Sequence, residues 1–424
     1  MPSPLFVSTR GQTPVPFRDA LLDGLAPDGG LYVPTRIPPL DGSWAEASTF
    51  AETAQRVLKP WLGDAYERLD AIVADALSFP VPLVPLAGDA WRGVSALELF
   101  HGPTLSFKDV GARTMARLMA DTLAGGDVTI LAATSGDTGS AVADGFAGVE
   151  GVRVVLLYPK GQVSAVQERQ LIVERPGVRT LAVEGTFDDC QRLVKAAFNR
   201  PPPGVRLSSA NSINIGRLLP QMTYYAWAVR QLGSAGAAPV VVVPSGNLGN
   251  LTAGVLQQAS GLPVAGFVAA HNANDRFPRF LDGGPPPEGA SVRTLSNAMD
   301  VGTPSNAERL VALLGDALPS RVEGQAVSDA ETTSTMREVF DATGYVADPH
   351  TAVGLCAARR LRARGVAAPL VVLSTAHPAK FPDAVEAAIG SAPEAPGRLA
   401  ALWDAPTHVE TVPATLDALL TALR

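Results

Sequence analysis

The sequence has few cysteines, few lysines and no long hydrophobic run. Cys190 and Cys356 are the only cysteines in 424 residues, too few for a disulfide framework, so we expect an intracellular protein. No apolar stretch approaches the ~18–20 residues that cross a bilayer. The first ten residues lack the basic and apolar segments of a secretory signal. These absences predict a cytoplasmic protein without a membrane partner.

The charge balance excludes another class of partner. The chain carries 34 basic and 41 acidic side chains, a net charge of -7, whereas a nucleic-acid binder usually has a basic patch and a high pI. Hydrophobic residues make up 46% and charged residues 18%, which is a globular composition. At ~100–200 residues per domain, the length predicts two or three domains.

Histidines are also scarce and scattered, and we expect no metal site. No HExxH pattern, CxxC pair or paired histidine spacing occurs, and no GxSxG nucleophile elbow is present. The five histidines are His101, His271, His350, His377 and His408.

Only five of the 34 basic residues are lysines, so arginine is used wherever a positive charge suffices. A lysine in this chain therefore indicates a place where an amine is needed. Lys59, Lys160 and Lys195 look like ordinary surface positions.

Short apolar runs rich in β-branched residues alternate with helical patterns after residue 90. Such runs are typical of parallel strands buried on both faces, so we predict an α/β fold with two open, mainly parallel sheets flanked by helices. The N-terminal part, residues 1–90, contains amphipathic helical spacing. We expect it to pack on two α/β domains, residues 91–235 and 236–424. The predicted strands lie in 128–134, 152–159, 178–185, 239–246, 264–271 and 369–377.

Ligands of open α/β sheets bind beyond the carboxyl ends of the strands, so the polar residues after each run are candidates. In HGPTLSFKD (101–109), Lys108 precedes a helical pattern. A lysine amine in a partly apolar setting can form a Schiff base. The alternative is an exposed residue of the first helical turn, paired with Asp109.

The segment PSGNLGN (244–250) joins an apolar run to a helical pattern. Its glycines and the free N–H groups of the helix start suit an anion such as a phosphate. It matches neither a dinucleotide fingerprint nor a nucleoside-triphosphate loop. The alternative is a simple turn with an asparagine cap.

Three further segments carry short polar side chains. Ser135, Asp137 and Thr138 follow one strand, and there they could bind a carboxylate or phosphate or only cap a helix. In SANSINIGR (209–217), short polar side chains precede Arg217, whose forked cation suits phosphate, although a solvated arginine is the alternative. Ser374 and Thr375 end the last apolar run.

Together these segments supply a Schiff-base lysine, a phosphate loop, a hydroxyl for a ring nitrogen and further anion loops. Pyridoxal phosphate requires that set of groups. The combination therefore predicts pyridoxal 5'-phosphate as the cofactor.

The segments also resemble the threonine synthase family, fold-type-II pyridoxal phosphate enzymes related to the tryptophan synthase β chain. The likeness runs from about residue 7 to 390 and keeps the family order of blocks. FDDCQ, SANSIN and STAHPAKF are similar to the longer bacterial and fungal branch. The matching blocks are STRG, PDGGLYVP, HGPTLSFKD, TSGDTGSA, FDDCQ, SANSIN, PSGNLGN, DPHTAVG and STAHPAKF.

The resemblance implies cofactor contacts. Lys108 would bind pyridoxal phosphate covalently and then move protons, Thr375 would meet the pyridine nitrogen, and Asp137 would face the ring. Leu248 stands where the family commonly has phenylalanine, a conservative change if only its N–H is used. The cofactor phosphate would be bound by Gly246, Asn247, Leu248, Gly249 and Asn250.

The resemblance also implies a substrate. The family converts O-phospho-L-homoserine and water to L-threonine and phosphate, the last step of threonine biosynthesis. Ser135 and Thr138 would face the substrate. The residues that would receive its phosphate are Asn211, Ser212, Asn214 and Arg217.

Alternatives remain open from the sequence. A phospho-lyase would use the same site and release 2-oxobutyrate, and a serine or threonine dehydratase would leave Arg217 without a phosphate. A non-catalytic binding module is the alternative of a different class. We expect a monomer, with a dimer as the alternative.

Overall fold

The computed structural model describes residues 2–134, 136–233 and 237–424. Ser135, a predicted substrate residue, lies outside this part. No helix in the described ranges is long and apolar enough to cross a membrane. The strands are β1 (Phe6–Ser8), β2 (Tyr32–Pro34), β3 (Leu83–Pro85), β4 (Val94–Glu98), β5 (Val128–Ala133), β6 (Val152–Pro159), β7 (Val178–Glu184), β8 (Leu207–Ser208), β9 (Val240–Pro244), β10 (Gly266–His271), β11 (Val322–Ala326), β12 (Leu370–Ser374) and β13 (Glu410–Pro413).

Helices surround these strands along the whole chain. The α-helices are α1 (Phe17–Asp23), α2 (Phe50–Leu62), α3 (Leu69–Ala76), α4 (Lys108–Leu123), α5 (Asp137–Phe146), α6 (Ala165–Ile172), α7 (Phe187–Asn199), α8 (Ile215–Leu218), α9 (Met222–Leu232), α10 (Gly249–Ala259), α11 (Arg276–Leu281), α12 (Ala307–Leu314), α13 (Leu318–Arg321), α14 (Asp329–Thr343), α15 (Pro349–Ala363), α16 (Pro382–Ile389), α17 (Gly397–Ala400) and α18 (Leu416–Ala422).

The predicted N-terminal helices are confirmed. Thr49 caps α2 by accepting from the Glu52 N–H, and the apolar side of the helix, including Val57 and Trp61, is fully buried. Helix α2 packs against α3 and α9, while β1 and β2 form an antiparallel pair. This region therefore shares the main hydrophobic core with the sheets.

The first sheet has six strands in the order β11-β10-β9-β12-β4-β3, parallel except for β3 against β4. Val242 of β9 stands opposite Val372 of β12, and both side chains are fully buried. Helices cover both faces, as the continuous apolar runs predicted.

The second sheet has five parallel strands in the order β13-β7-β6-β5-β8. All six predicted strands are therefore found, three in each sheet. The sheets do not divide near residue 235, however. Strands β3 and β4 precede the second sheet in sequence but join the first, and β13 comes from the C-terminal region. The predicted ranges 91–235 and 236–424 therefore do not each coincide with one sheet.

Candidate active site

Lys108 is the first residue of α4 and lies at the carboxyl end of the first sheet. The loop before it pairs with the segment after β12: Phe107 N–H donates to the Thr375 carbonyl at 2.9 Å, and His377 N–H donates to the Leu105 carbonyl at 3.0 Å. Leu105 adopts a left-handed conformation, with φ of 61°. These contacts hold the backbone of Lys108 in one place relative to Thr375.

The surroundings of Lys108 favour its neutral amine. Burial lowers the pKa of Lys108 to about 8; the Asp137 carboxylate opposes this shift, and the Lys380 and Arg217 cations add to it. The alternative of a surface pair with Asp109 is wrong. Asp109 is fully buried and accepts from the backbone N–H and the hydroxyl of Thr104, at 2.9 and 2.7 Å.

The glycine loop between β9 and α10 forms one wall of the same cavity. Leu248 takes a left-handed conformation (φ 61°), which is strained for a branched residue, and α10 begins immediately after it. A Cβ on Gly249 would lie 2.8 Å from the Ser212 Cβ, and a Cβ on Gly246 would lie 2.9 Å from the Met299 Cα. Both positions therefore require glycine.

Two asparagines of this loop differ in their use. Asn247 donates from Nδ2 to the Ser212 hydroxyl at 2.7 Å, joining the loop to the predicted substrate segment. Asn250 accepts from the hydroxyls of Tyr224 and Tyr225, both at 2.6 Å, while its Nδ2 is buried without a partner. Asn250 is one of the residues that line the cavity.

Of the two hydroxyls that end β12, only one faces the cavity. Ser374 bonds to the hydroxyls of Thr351 and Tyr345, at 2.9 and 3.1 Å. The Thr375 side chain lines the cavity, and no donor or acceptor in the described chain reaches its hydroxyl. Thr375 therefore carries the hydroxyl that is available to a ligand in the cavity.

The second sheet contributes Asp137 and Thr138, both in the cavity wall. The Thr134 hydroxyl caps α5 by accepting from the Gly136 and Gly139 N–H groups, at 3.0 and 2.8 Å. The Asp137 carboxylate is instead 2.8 Å from the Lys380 ammonium. The alternative that Asp137 only caps this helix is therefore wrong.

Arg217, in α8, is 3% exposed, so the alternative of a solvated arginine is wrong. Its Nη1 donates to the Ala210 carbonyl, its Nε has no partner, and no carboxylate in the described residues pairs with it. Gly111 makes room for this side chain one turn after Lys108, since a Cβ there would lie 3.0 Å from Nε.

The SANSIN segment divides in two. Asn211 and Ser212 line the cavity, and the Asn211 Oδ1 has no partner. Asn214 is not brought to the cavity. Its Nδ2 donates to the Leu21 and Ser209 carbonyls, at 2.9 and 2.8 Å, and its Oδ1 accepts from the Gly216 N–H. Its side chain ties the segment to α1 and caps α8.

Four polar residues that support the cavity were missed from the sequence: Asn306, Arg309, His350 and Lys380. The Arg309 guanidinium is buried and donates to the Tyr32 and Ser212 carbonyls, at 2.9 and 3.0 Å. His350 faces Asp348 at 2.7 Å through Nδ1 and accepts the Ala298 N–H through Nε2. The scarcity of lysine was a signal for Lys380, because the three lysines expected on the surface are exposed.

The donor set fits pyridoxal phosphate. The cavity, of about 180 Å³, combines a lysine of lowered pKa, a glycine loop at a helix start and a free hydroxyl. The buried donors without partners, Asn250 Nδ2 and Arg217 Nε, require an acceptor that the described protein does not supply.

The chain is similar to known proteins over most of its length. Three family models match: "Threonine synthase N terminus" over residues 5–77, "Pyridoxal-phosphate dependent enzyme" over 79–375 and "Threonine synthase, C-terminal" over 351–422. The threonine synthase of Escherichia coli K12 is 43% identical over 96% of this chain and 95% of its own length. The crystal structure of an Escherichia coli threonine synthase has a TM-score of 0.90 at 40% identity, covering 99% of both chains. A PLP-bound threonine synthase from Brucella melitensis has a TM-score of 0.90 at 36% identity, with the same coverage.

Proposed function

The chain belongs to the threonine synthase family of pyridoxal-phosphate-dependent lyases, and from this premise we propose that it converts O-phospho-L-homoserine and water to L-threonine and phosphate through Lys108. The observation that carries the proposal is one cavity that is lined by both the glycine loop and Arg217. The glycine loop serves one phosphate. The Arg217 guanidinium, which pairs with no carboxylate in the described residues, serves the other phosphate. A substrate without a phosphate would leave this guanidinium unused.

Lys108 is the residue that would bind the cofactor and move protons. Bound pyridoxal phosphate supplies an electron sink that makes the substrate Cα proton acidic. With a pKa of about 8, Lys108 is partly neutral near pH 7 and can both accept and donate protons there. The reaction removes protons from Cα and Cβ, breaks the Cγ–O bond to phosphate and returns a proton to Cγ. Water then adds its hydroxyl at Cβ, and Cα regains a proton.

The glycine loop and Thr375 would orient the cofactor. Gly246 to Asn250 present backbone N–H groups and the Asn250 amide at the start of α10, where the helix dipole favours a phosphate. The Thr375 hydroxyl would meet the ring nitrogen. A neutral partner leaves that nitrogen unprotonated, unlike a carboxylate. Asp137 would face the ring from the second sheet.

Arg217, Asn211 and Ser212 would bind the substrate phosphate, and Thr138 would face the substrate from the start of α5. Arg217 has two functions in this scheme. It recognises the phosphate in the bound substrate and stabilises its charge as the Cγ–O bond breaks. Burial keeps water from screening this attraction. Asn214 is not assigned to this phosphate because its amide group is already hydrogen-bonded within the protein.

Product analysis tests the reaction. Purified protein with pyridoxal phosphate and O-phospho-L-homoserine should release phosphate and threonine in equal amounts. Phosphate with 2-oxobutyrate would retain the site and contradict the addition of water. No phosphate release would contradict the proposal.

A further inference from the structure

The cavity has a second lysine behind its wall. Lys380 follows β12, is 0% exposed, and donates from Nζ to the Thr104 carbonyl at 3.0 Å. Its ammonium lies 2.8 Å from Asp137 Oδ1, and this ion pair joins the segment after the first sheet to the start of α5 beside the second. Burying both charges of an ion pair costs desolvation free energy, so this pair indicates a function in the site.

The two oxygens of Asp137 have different surroundings. Oδ1 accepts from Lys380 and from Gln167 Nε2, the latter at 3.2 Å. No donor in the described residues reaches Oδ2, and the side chain lines the cavity together with Lys108. Burial alone would raise the pKa of Asp137, but Lys380 and Lys108 hold it well below its usual range. The carboxylate is therefore ionised: Lys380 contacts it directly, and Lys108 lines the same cavity.

We propose that Lys380 is a positioning residue for the reaction: it binds one oxygen of Asp137, so that two lysines share this carboxylate and Lys108 is the less tightly held of the two. The inference rests on the proposed function, which assigns the cofactor to Lys108. Without Lys380, Asp137 becomes the sole counter-ion of Lys108 and keeps its amine protonated. Lys380 thus acts on Lys108 through Asp137.

The other charged groups nearby leave the Asp137 carboxylate to Lys108 and Lys380. Arg217 faces Lys108 from α8 and only disfavours its protonated form. Each carboxylate oxygen of Asp109 accepts a hydrogen bond from Thr104, and the charge of Asp109 acts on Lys380 and Arg217 rather than on Lys108. His350 lies near Asp137, but its two ring nitrogens are occupied by Asp348 and the Ala298 N–H.

The test measures Lys108 in the cofactor-free protein. Trace acetic anhydride acetylates neutral amines, and mass spectrometry across pH gives the midpoint for each lysine. We expect K380M to raise the Lys108 midpoint by about one pH unit, which lowers its labelling at pH 7 about tenfold. The exposed Lys195 is the internal reference. K160M is the matched control, because it removes an ammonium from a surface pair with Glu184.

A double-mutant cycle separates a shared carboxylate from direct repulsion between lysines. In the D137N background, K380M should move the midpoint by less than half as much. An unmoved midpoint in folded K380M, or an equal shift in D137N, would overturn the proposal. Near-UV circular dichroism checks the fold. If K380M does not fold, D137N/K380M, which lacks both charges, is compared with D137N. A Lys108 midpoint one unit higher in the double variant would also overturn the proposal. The outcome does not depend on turnover.

Discussion

Asn247 Nδ2 donates to the Ser212 hydroxyl at 2.7 Å, so the glycine loop and the SANSIN segment touch directly. Asn306 strengthens this junction by donating to the Asn247 carbonyl at 2.9 Å. Arg309 binds the Ser212 carbonyl from the same side. The two anion loops therefore form one wall, and a change in one should disturb the other.

Arg309→Gln should weaken this wall and destabilise the protein. The substitution removes donors from three backbone carbonyls, one buried and two partly buried, and we expect a loss of about 2–4 kcal/mol in the free energy of unfolding. Urea denaturation of the cofactor-free protein measures it. Arg92→Gln, in an exposed pair with Asp89, is the control and should change stability by less than ~0.5 kcal/mol. If the two variants were equally stable, Arg309 would not stabilise this wall.

Arg217→Gln should raise KM for O-phospho-L-homoserine by ~10–100-fold, because a charged hydrogen bond to phosphate is lost. Homoserine, which lacks the phosphate, is the comparison. Its inhibition constant should change by less than ~3-fold, since its contacts do not need the arginine. Equal losses for the two compounds would place the substrate phosphate elsewhere.

Gly249→Ala should weaken cofactor binding at least ~10-fold, because the new Cβ would lie 2.8 Å from the Ser212 Cβ and push the loops apart. Absorbance titration of the cofactor-free protein with pyridoxal phosphate measures this affinity. The control is Gly42→Ala, at a position where a Cβ would meet nothing within 4 Å. Unchanged affinity in Gly249→Ala would mean that the loop does not bind the phosphate.

Much of this arrangement follows from local sequence, because a strand buried on both faces is a continuous apolar run. Strands β4 and β11 lack that signal: β4 contains Ser95 and Glu98, and β11 contains Gly324 and Gln325. Strand β13, at the edge of its sheet, includes Pro413. Their partners are also distant in sequence, as when β4 pairs with β12.

The site residues divide in the same way. Gly249 and Thr375 follow apolar runs, so their place at the strand ends was predictable. Lys108 follows β4, which no apolar run predicts, and its signals were the scarcity of lysine and the helical pattern after it. Arg309 lies on a helix and acts on loops far away in sequence, which no local pattern reports. Asn211 and Asn214 look alike in the sequence, and only the nearby Leu21 carbonyl shows that Asn214 faces away from the cavity.

The rate at which the cofactor-free protein captures pyridoxal phosphate should follow the protonation of Lys108. The pKa is lowered from 10.5 to about 8, and only the neutral amine attacks an aldehyde. The rate should therefore rise about tenfold per pH unit below pH 8 and level off above it. Stopped-flow absorbance measures the rate. A rise that continues to pH 10 would indicate an ordinary lysine.

Borohydride reduction followed by peptide mapping tests the central assignment most directly. Reduction fixes the cofactor to the lysine that carries it, and mass spectrometry then identifies that residue among the five lysines of the chain. We expect the label on Lys108 alone, and none in Lys108→Ala. Label on Lys380, the other buried lysine of this region, would contradict the assignment of Lys108.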